Sequence, residues 1–173
     1  MASKTQLAFA RQVYAAAVEA KTEIDPAFVT AQAMLETGWG SRVIGKANLF
    51  GITKGSQWDG DIVMVKTHEY FKTPKRKFKE PDRIVSVCKV AGKNLWYYTV
   101  MRAFKDFDSV GDCLKEHERL FQKPGYKDAW PCRKDPFKFA QKICDGVGCK
   151  YATDPTYLTT ITSIIKTIRR KCV

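Results

Sequence analysis

The chain has 173 residues, of which 45% are hydrophobic and 28% are charged, and this balance is typical of a folded domain and argues against a disordered one. The formal net charge of +12 favours polyanionic partners, namely nucleic acid, an anionic membrane face or bacterial cell wall, without choosing among them. The longest apolar runs are too short for a membrane span. We therefore expect one domain over residues 1–173.

Helix signals occupy both ends of the chain. Ser3 and Gln6 have the spacing of a capping box. Asp25 and Pro26 suit the start of a second helix, because Asp accepts first-turn amide hydrogens and Pro has none to leave unpaired. Gly38 is a natural C-terminal stop for that helix. Further helices are predicted from about Ser109 to Phe121, from Asp135-Pro136, and from Asp154-Pro155 with Leu158, Ile161, Ile165 and Ile168 on one side.

The middle of the chain has a β pattern. Residues 62–65, 84–90 and 95–100 are rich in β-branched and aromatic side chains, and residues 91–94 suit a hairpin turn. The sequence therefore predicts an α+β fold, a mainly helical domain with a small β-hairpin lobe inserted at about residues 60–104. A groove between helices and lobe would suit an extended polymer.

Six cysteines and two histidines limit the metal chemistry. The cysteines form no CxxC pair, so a structural zinc site is not expected. Buried free thiols are the expectation for a reducing compartment, and disulfides for an oxidising one. Cys144 and Cys149 flank a Gly-Val-Gly loop and are the first choice for a disulfide.

Glu36 is the strongest candidate for acid chemistry. Cleavage of a glycosidic bond needs a carboxylic acid that protonates the leaving oxygen. Glu36 lies at the predicted C-terminal end of the second helix, where the macrodipole disfavours another negative charge. It follows an apolar run and precedes Trp39, so we also expect partial desolvation. A solvated surface carboxylate is the alternative at such a position.

Four blocks of sequence, in order, resemble the bacterial glucosaminidases of glycoside hydrolase family 73. Residues 32–53 (QAMLETGWGSRVIGKANLFGIT) resemble the family signature, and Thr67-His68-Glu69-Tyr70 resembles its Thr-x-Glu-Tyr segment. Residues 102–114 resemble its next helix entry, and residues 150–157 (KYATDPTY) its Tyr-Ala-Thr-Asp-Pro-x-Tyr motif. The resemblance extends from about residue 6 to residue 168 and implies a lysozyme-like fold.

The resemblance also implies roles for individual residues. Glu36 aligns with the general acid, Glu69 with the second carboxylate, and Tyr151 with a tyrosine of the active-site groove. Strand alternation places His68 on the opposite face from Glu69, so His68 is not expected to be catalytic. The candidates for substrate binding or for shaping the pocket are Trp39, Asn48, Phe50 and Tyr157. No metal or organic cofactor is expected, since acid catalysis at a glycosidic bond needs none.

The function that the resemblance implies is hydrolysis of the β-1,4 glycan backbone of peptidoglycan, preferably on the reducing side of N-acetylglucosamine. N-acetylmuramidase specificity is one alternative, and a non-catalytic basic module that binds cell wall or nucleic acid is another. We favour a monomer that binds glycan strands and not nucleic acid. Residues 1–4 lack the layout of a secretory signal, so we expect action in the periplasm or wall after export, injection or lysis. A phage lysin fits this expectation, as does an injected toxin with a periplasmic immunity protein that blocks the groove.

Overall fold

The computed structural model describes residues 2–145 and 154–173, and within these it contains five helices and one three-stranded sheet. The helices are α1 (Lys4–Glu19), α2 (Pro26–Thr37), α3 (Val110–Phe121), α4 (Pro136–Asp145) and α5 (Tyr157–Lys171), and the strands are β1 (Ile62–Phe71), β2 (Arg83–Lys89) and β3 (Trp96–Lys105). Short 3-10 turns lie at Pro124–Tyr126 and Trp130–Cys132. The chain divides into a helical unit (Met1–Phe50 and Phe107–Val173) and a β unit (Gly51–Asp106). The predicted α+β class is confirmed, and the inserted segment is somewhat longer than predicted.

The predicted helix termini are confirmed where local hydrogen bonds define them. The Gln6 amide donates to Ser3 Oγ at 3.2 Å and the Ser3 amide donates to Gln6 Oε1 at 2.8 Å, which is the capping box. Asp25 Oδ1 accepts the Ala27 amide at 2.8 Å, with Pro26 as the first helical residue of α2. Gly38 ends α2 in the left-handed conformation at φ 57°, which costs glycine little because it has no Cβ.

The core of the helical unit is an aromatic cluster. Phe28 of α2 meets Phe139 edge-on at 4.8 Å between ring centroids, and Phe121 lies 5.2 Å from Phe139. All three side chains are fully buried, and edge-to-face pairs of this kind add about 0.5–1.5 kcal/mol to the burial of apolar area. Next to this core, the buried Glu118 accepts the Ile24 amide at 2.8 Å and so fixes the chain that leads into α2.

The sheet of the β unit is antiparallel in the order β1-β3-β2. β1 pairs with β3 along its whole length, with Glu69 opposite Tyr98 and His68 opposite Thr99. Paired residues share a face and neighbours alternate, so Glu69 and His68 lie on opposite faces, as predicted. β1 extends to Phe71 and does not end at residue 65 as predicted. Its polar second half is also a strand because it pairs with β3.

Three expectations need correction or stay open. α5 begins at Tyr157, two residues after Pro155, because Asp154 Oδ1 accepts the amide and hydroxyl of Thr156, both at 2.8 Å, in a turn that precedes the helix. Leu158 is only half-buried, while Ile161, Ile165 and Ile168 are fully buried. All five cysteines in the described ranges are free thiols, Cys144 among them. Its predicted disulfide partner, Cys149, lies outside the described residues.

Candidate active site

Glu36 is the penultimate residue of α2, and its side chain is exposed. The predicted position at the helix C-terminus is confirmed, whereas the exposure of the Glu36 side chain contradicts the expected desolvation; Leu35 and Trp39 are half-buried. The last turn of α2 contains no basic residue. The partial negative charge of the helix C-terminus disfavours a further negative charge at this end of α2.

Hydrogen bonds fix the backbone immediately after Glu36. The buried Thr37 hydroxyl donates to the Ala33 carbonyl at 2.6 Å and accepts the Gly40 amide at 2.8 Å. The Trp39 amide donates to the Met34 carbonyl at 2.7 Å. Trp39 itself has φ 60°, a left-handed conformation that is costly for a bulky residue and that clusters at functional sites. The helix end that presents Glu36 is thus held by its own turn.

One turn before Glu36, α2 contacts α5 through a polar pair. Gln32 is buried, and its Nε2 donates to the Tyr157 hydroxyl at 2.9 Å. Residues four apart on a helix share a face, so Tyr157 lies beside the turn that presents Glu36. Burial raises the pKa of Tyr157 well above its ordinary value, the Gln32 hydrogen bond opposes the shift, and the charge of Glu36 adds to it. Tyr157 therefore stays protonated, and its burial argues against direct contact with a sugar.

Asn48 and Phe50 are the two remaining candidates of the helical unit, and both follow α2 in the sequence. Asn48 is 1% exposed, and its backbone pairs with that of Ile44 in both directions, at 3.0 and 3.1 Å. Its burial favours the predicted turn role over a sugar contact. The Phe50 ring stacks on the ring of the buried His117, with 3.7 Å between centroids. Phe50 thus packs on α3, and its role in shaping the pocket stays a prediction.

Glu69 of the β unit belongs to a chain of three charged side chains. Glu69 Oε1 accepts from Arg102 Nη1 at 2.6 Å, and Arg102 Nε donates to Asp82 Oδ2 at 3.0 Å. The other oxygen of Asp82 accepts the Ala103 amide at 2.7 Å. Burial lowers the pKa of Arg102, but its contacts with Glu69 and Asp82 more than offset this and raise it. Arg102 is thus a permanent cation between two carboxylates, each held by charge-assisted hydrogen bonds.

An open cavity of about 740 Å³ in the β unit is lined in part by these three side chains, Glu69, Arg102 and Asp82. One wall is formed by residues 76–82 of the basic loop at residues 72–82. The loop is anchored: the buried Tyr98 hydroxyl donates to the Thr73 carbonyl at 2.8 Å and accepts the Arg76 amide at 3.2 Å. Phe78 packs near Phe71 at 6.0 Å between centroids. The side chains that line the cavity include Lys54, Glu69, Phe71, Arg76, Lys77, Phe78, Lys79, Asp82 and Arg102.

Each unit contains residues in contact with a candidate side chain that sequence reasoning missed, and one predicted residue is not described. Gln32 and Asp82 had no sequence signal as site residues, because the role of a buried amide or a loop carboxylate is recognised only from the groups that it contacts. Arg102 stood in a recognised block but was given no role. Tyr151 lies outside the described residues, and its role stays a prediction. Within the described ranges, no cluster of His, Cys, Asp and Glu could hold a metal ion, and no helix is long and apolar enough to cross a bilayer.

Known proteins resemble this chain over most of its length. Residues 12–170 match the Glucosaminidase family, described as mannosyl-glycoprotein endo-beta-N-acetylglucosaminidase. The peptidoglycan hydrolase FlgJ of Vibrio parahaemolyticus is 30% identical over 141 residues, which are 78% of this chain and 37% of that protein. A probable N-acetylmuramidase of Lactococcus lactis is 31% identical over 143 residues, 81% of this chain and 28% of that protein. The chain thus spans about a third of each relative.

The fold has a solved counterpart. A C-terminally truncated glycoside hydrolase domain from Salmonella typhimurium FlgJ superposes with a TM-score of 0.68 at 23% identity. The match covers 95% of this chain and 98% of that one. The likeness confirms the predicted lysozyme-like fold.

Proposed function

Because the chain belongs to the glucosaminidase family, we propose that it hydrolyses the glycan backbone of peptidoglycan, with Glu36 as the general acid. The observation that carries the proposal is the placement of Glu36 at the C-terminus of α2, in the family signature at residues 32–53 and within the 12–170 match. The name of the Vibrio parahaemolyticus relative, a peptidoglycan hydrolase, supports this choice of substrate.

In the proposed reaction, Glu36 gives its proton to the oxygen of the glycosidic bond as the bond to the anomeric carbon breaks. The partial negative charge at the end of α2 favours the protonated form of Glu36 before the reaction. A water oxygen bonds to the anomeric carbon and loses one proton. One water is consumed, and each product ends in a hydroxyl group.

Glu69 is the proposed second carboxylate. Its contact with Arg102 at 2.6 Å holds the carboxylate in place, where it would accept the proton of the attacking water or stabilise positive charge on the sugar. We favour single displacement or assistance by the sugar's own N-acetyl group over a covalent glycosyl-enzyme. Inversion of the anomeric configuration in the first product would identify single displacement, because both routes with two displacements retain it.

The bond cut is proposed to be the β-1,4 bond on the reducing side of N-acetylglucosamine, as the family name suggests. The Lactococcus lactis relative, named as a probable N-acetylmuramidase, favours the alternative bond. Digestion of purified sacculi, borohydride reduction and mass spectrometry of the products separate the two. Reduced N-acetylglucosamine ends support our choice, and reduced N-acetylmuramic acid ends support the alternative.

The decisive comparison is between wild type, Glu36→Gln and a matched control, Glu19→Gln. Glu19 is also exposed at the C-terminal end of a helix, α1, so the control repeats the chemical change and the helix-end position. We expect about a 10²–10⁴-fold loss for Glu36→Gln, the usual worth of general acid catalysis, and full activity for Glu19→Gln. Equal product from wild type and Glu36→Gln would assign the acid to another residue. No product from wild type on sacculi would favour the binding-module alternative, which salt-sensitive binding to nucleic acid or wall would then support.

We further propose that the protein acts on the wall from the periplasm, as an injected toxin or a phage lysin. The charge of +12 suits electrostatic attraction to an anionic wall. Expression in bacteria with and without an attached export signal tests this: lysis should require export and an intact Glu36. An adjacent gene whose product blocks lysis would favour the toxin, and an adjacent holin gene the lysin.

A further inference from the structure

We propose that Asp82, delivered by the basic loop at residues 72–82, is a positioning residue that acts on Glu69 through Arg102. The inference rests on the proposed function, because it takes Glu69 as the second carboxylate of the reaction. It adds a residue that the sequence blocks do not contain and that belongs to the loop rather than to a strand.

The first step is the geometry of Arg102. Two of its nitrogens are used in different directions: Nη1 donates to Glu69 at 2.6 Å, and Nε donates to Asp82 at 3.0 Å. A guanidinium is planar, so fixing Nε fixes the direction in which Nη1 points. Asp82 therefore determines where Arg102 presents its donor to Glu69.

The second step is that Asp82 is itself held. Its Oδ1 accepts the Ala103 amide at 2.7 Å while its Oδ2 accepts from Arg102, so both carboxylate oxygens have fixed partners in β3. Its side chain is 16% exposed, against 27% for Glu69 and for Arg102. Asp82, which contacts Glu69 only through Arg102, is thus the least exposed to solvent of the three, as expected for a supporting residue.

The third step is that the loop bringing Asp82 to β3 is anchored independently of it. The Tyr98 hydroxyl contacts the loop backbone at Thr73 and Arg76, and the Phe78 ring lies 6.0 Å from the Phe71 ring and 6.4 Å from the Tyr98 ring between centroids. Replacing Asp82 therefore should not release the loop. Its effect should appear in the orientation of Arg102 and hence in the position of Glu69.

The test measures kcat and KM on soluble, uncross-linked glycan strands for Asp82→Asn. Asn keeps an acceptor for Ala103 but presents an amide to Arg102 Nε in place of a carboxylate. We expect kcat to fall about tenfold and KM to change by less than about twofold. The lost charge-assisted hydrogen bond is proposed to position Glu69 for the reaction and to make no contribution to substrate binding. The matched control is Asp59→Asn, the same change at an exposed position of the β unit that does not line the cavity; it should retain wild-type kcat.

A double-mutant cycle separates positioning from a general structural effect. Arg102→Lys removes the planar guanidinium through which Asp82 is proposed to act on Glu69. In that background, Asp82→Asn should lower kcat by less than about twofold. Wild-type kcat for Asp82→Asn would overturn the inference. So would the same tenfold loss in the Arg102→Lys background, or an equal loss in Asp59→Asn.

Failure of the proposed function gives a different result. Glu69→Gln with wild-type kcat would remove Glu69 from the reaction, whatever Asp82→Asn does. A large loss for Glu69→Gln together with an unaffected Asp82→Asn would leave the proposed function standing and refute the positioning role alone.

Discussion

Protonation of His117 should make the helical unit unstable in mild acid. Its side chain is 3% exposed, and neither ring nitrogen has a hydrogen-bond partner among the described residues. The ring lies between Phe50, stacked at 3.7 Å, and Phe121, edge-on at 5.2 Å. Burial lowers the pKa of His117 from 6.5 to about 3, because an imidazolium in this apolar site has nothing to solvate it.

The sign and size of the effect follow from proton linkage. Between pH 6.5 and 3 the unfolded chain binds a proton at this histidine and the folded chain does not, so stability is complete above pH 6.5 and falls as the pH is lowered. At about 1.4 kcal/mol for each pKa unit, going from pH 7 to pH 4 should cost about 3 kcal/mol. A whole domain has only about 5–15 kcal/mol of stability.

The variant His117→Leu tests this prediction, because leucine has no titrating group and its apolar side chain has a volume similar to that of histidine. Urea unfolding followed by far-UV circular dichroism at pH 7, 6, 5 and 4 gives the free energy of unfolding of each protein. Glu118, whose pKa is raised by burial, contributes the opposite slope but is present in both proteins. The difference between them therefore reports His117 alone, and we expect wild type to lose about 3 kcal/mol more than the variant between pH 7 and pH 4.

The matched control is His68→Gln, because His68 is the other histidine of the chain and is exposed. This variant should keep the wild-type dependence on pH. Parallel stability curves for wild type and His117→Leu would refute the reasoning, since they would mean that the imidazolium is accommodated in the folded state.

Two further variants test the surroundings of Glu36. Tyr157→Phe leaves the buried Gln32 amide without its acceptor and should destabilise the fold by about 1–3 kcal/mol; it should also lower kcat on sacculi, and unchanged kcat would exclude a supporting role for the hydroxyl. Gly40→Ala brings a Cβ within 2.6 Å of the Phe9 ring at φ 88°, so its midpoint of thermal unfolding should fall well below that of Gly92→Ala, where φ is 69° and nothing lies within 4 Å. Equal midpoints for the two glycine variants would show that the ring moves away at little cost.

The helix termini at Ser3, Asp25 and Gly38 could be predicted from the sequence because the interactions that create them are local. The Ser3–Gln6 capping box spans three residues and the Asp25 cap spans two, so a short string of sequence contains the whole interaction. The same holds for the Gly38 stop that places Glu36 at a helix C-terminus. The exposure of Glu36 was not predictable in this way, since it depends on which side chains the rest of the fold brings near.

The support of the two carboxylates was decided only by the tertiary structure. Gln32 and Tyr157 are 125 positions apart, Glu69 and Arg102 are 33 apart, and Asp82 and Arg102 are 20 apart. Each of these contacts depends on the packing of one helix on another or on the register of β1 and Asp82 against β3. A buried polar group is stable only where a partner meets it, and over such separations the partner is chosen by packing and register rather than by neighbours in the chain.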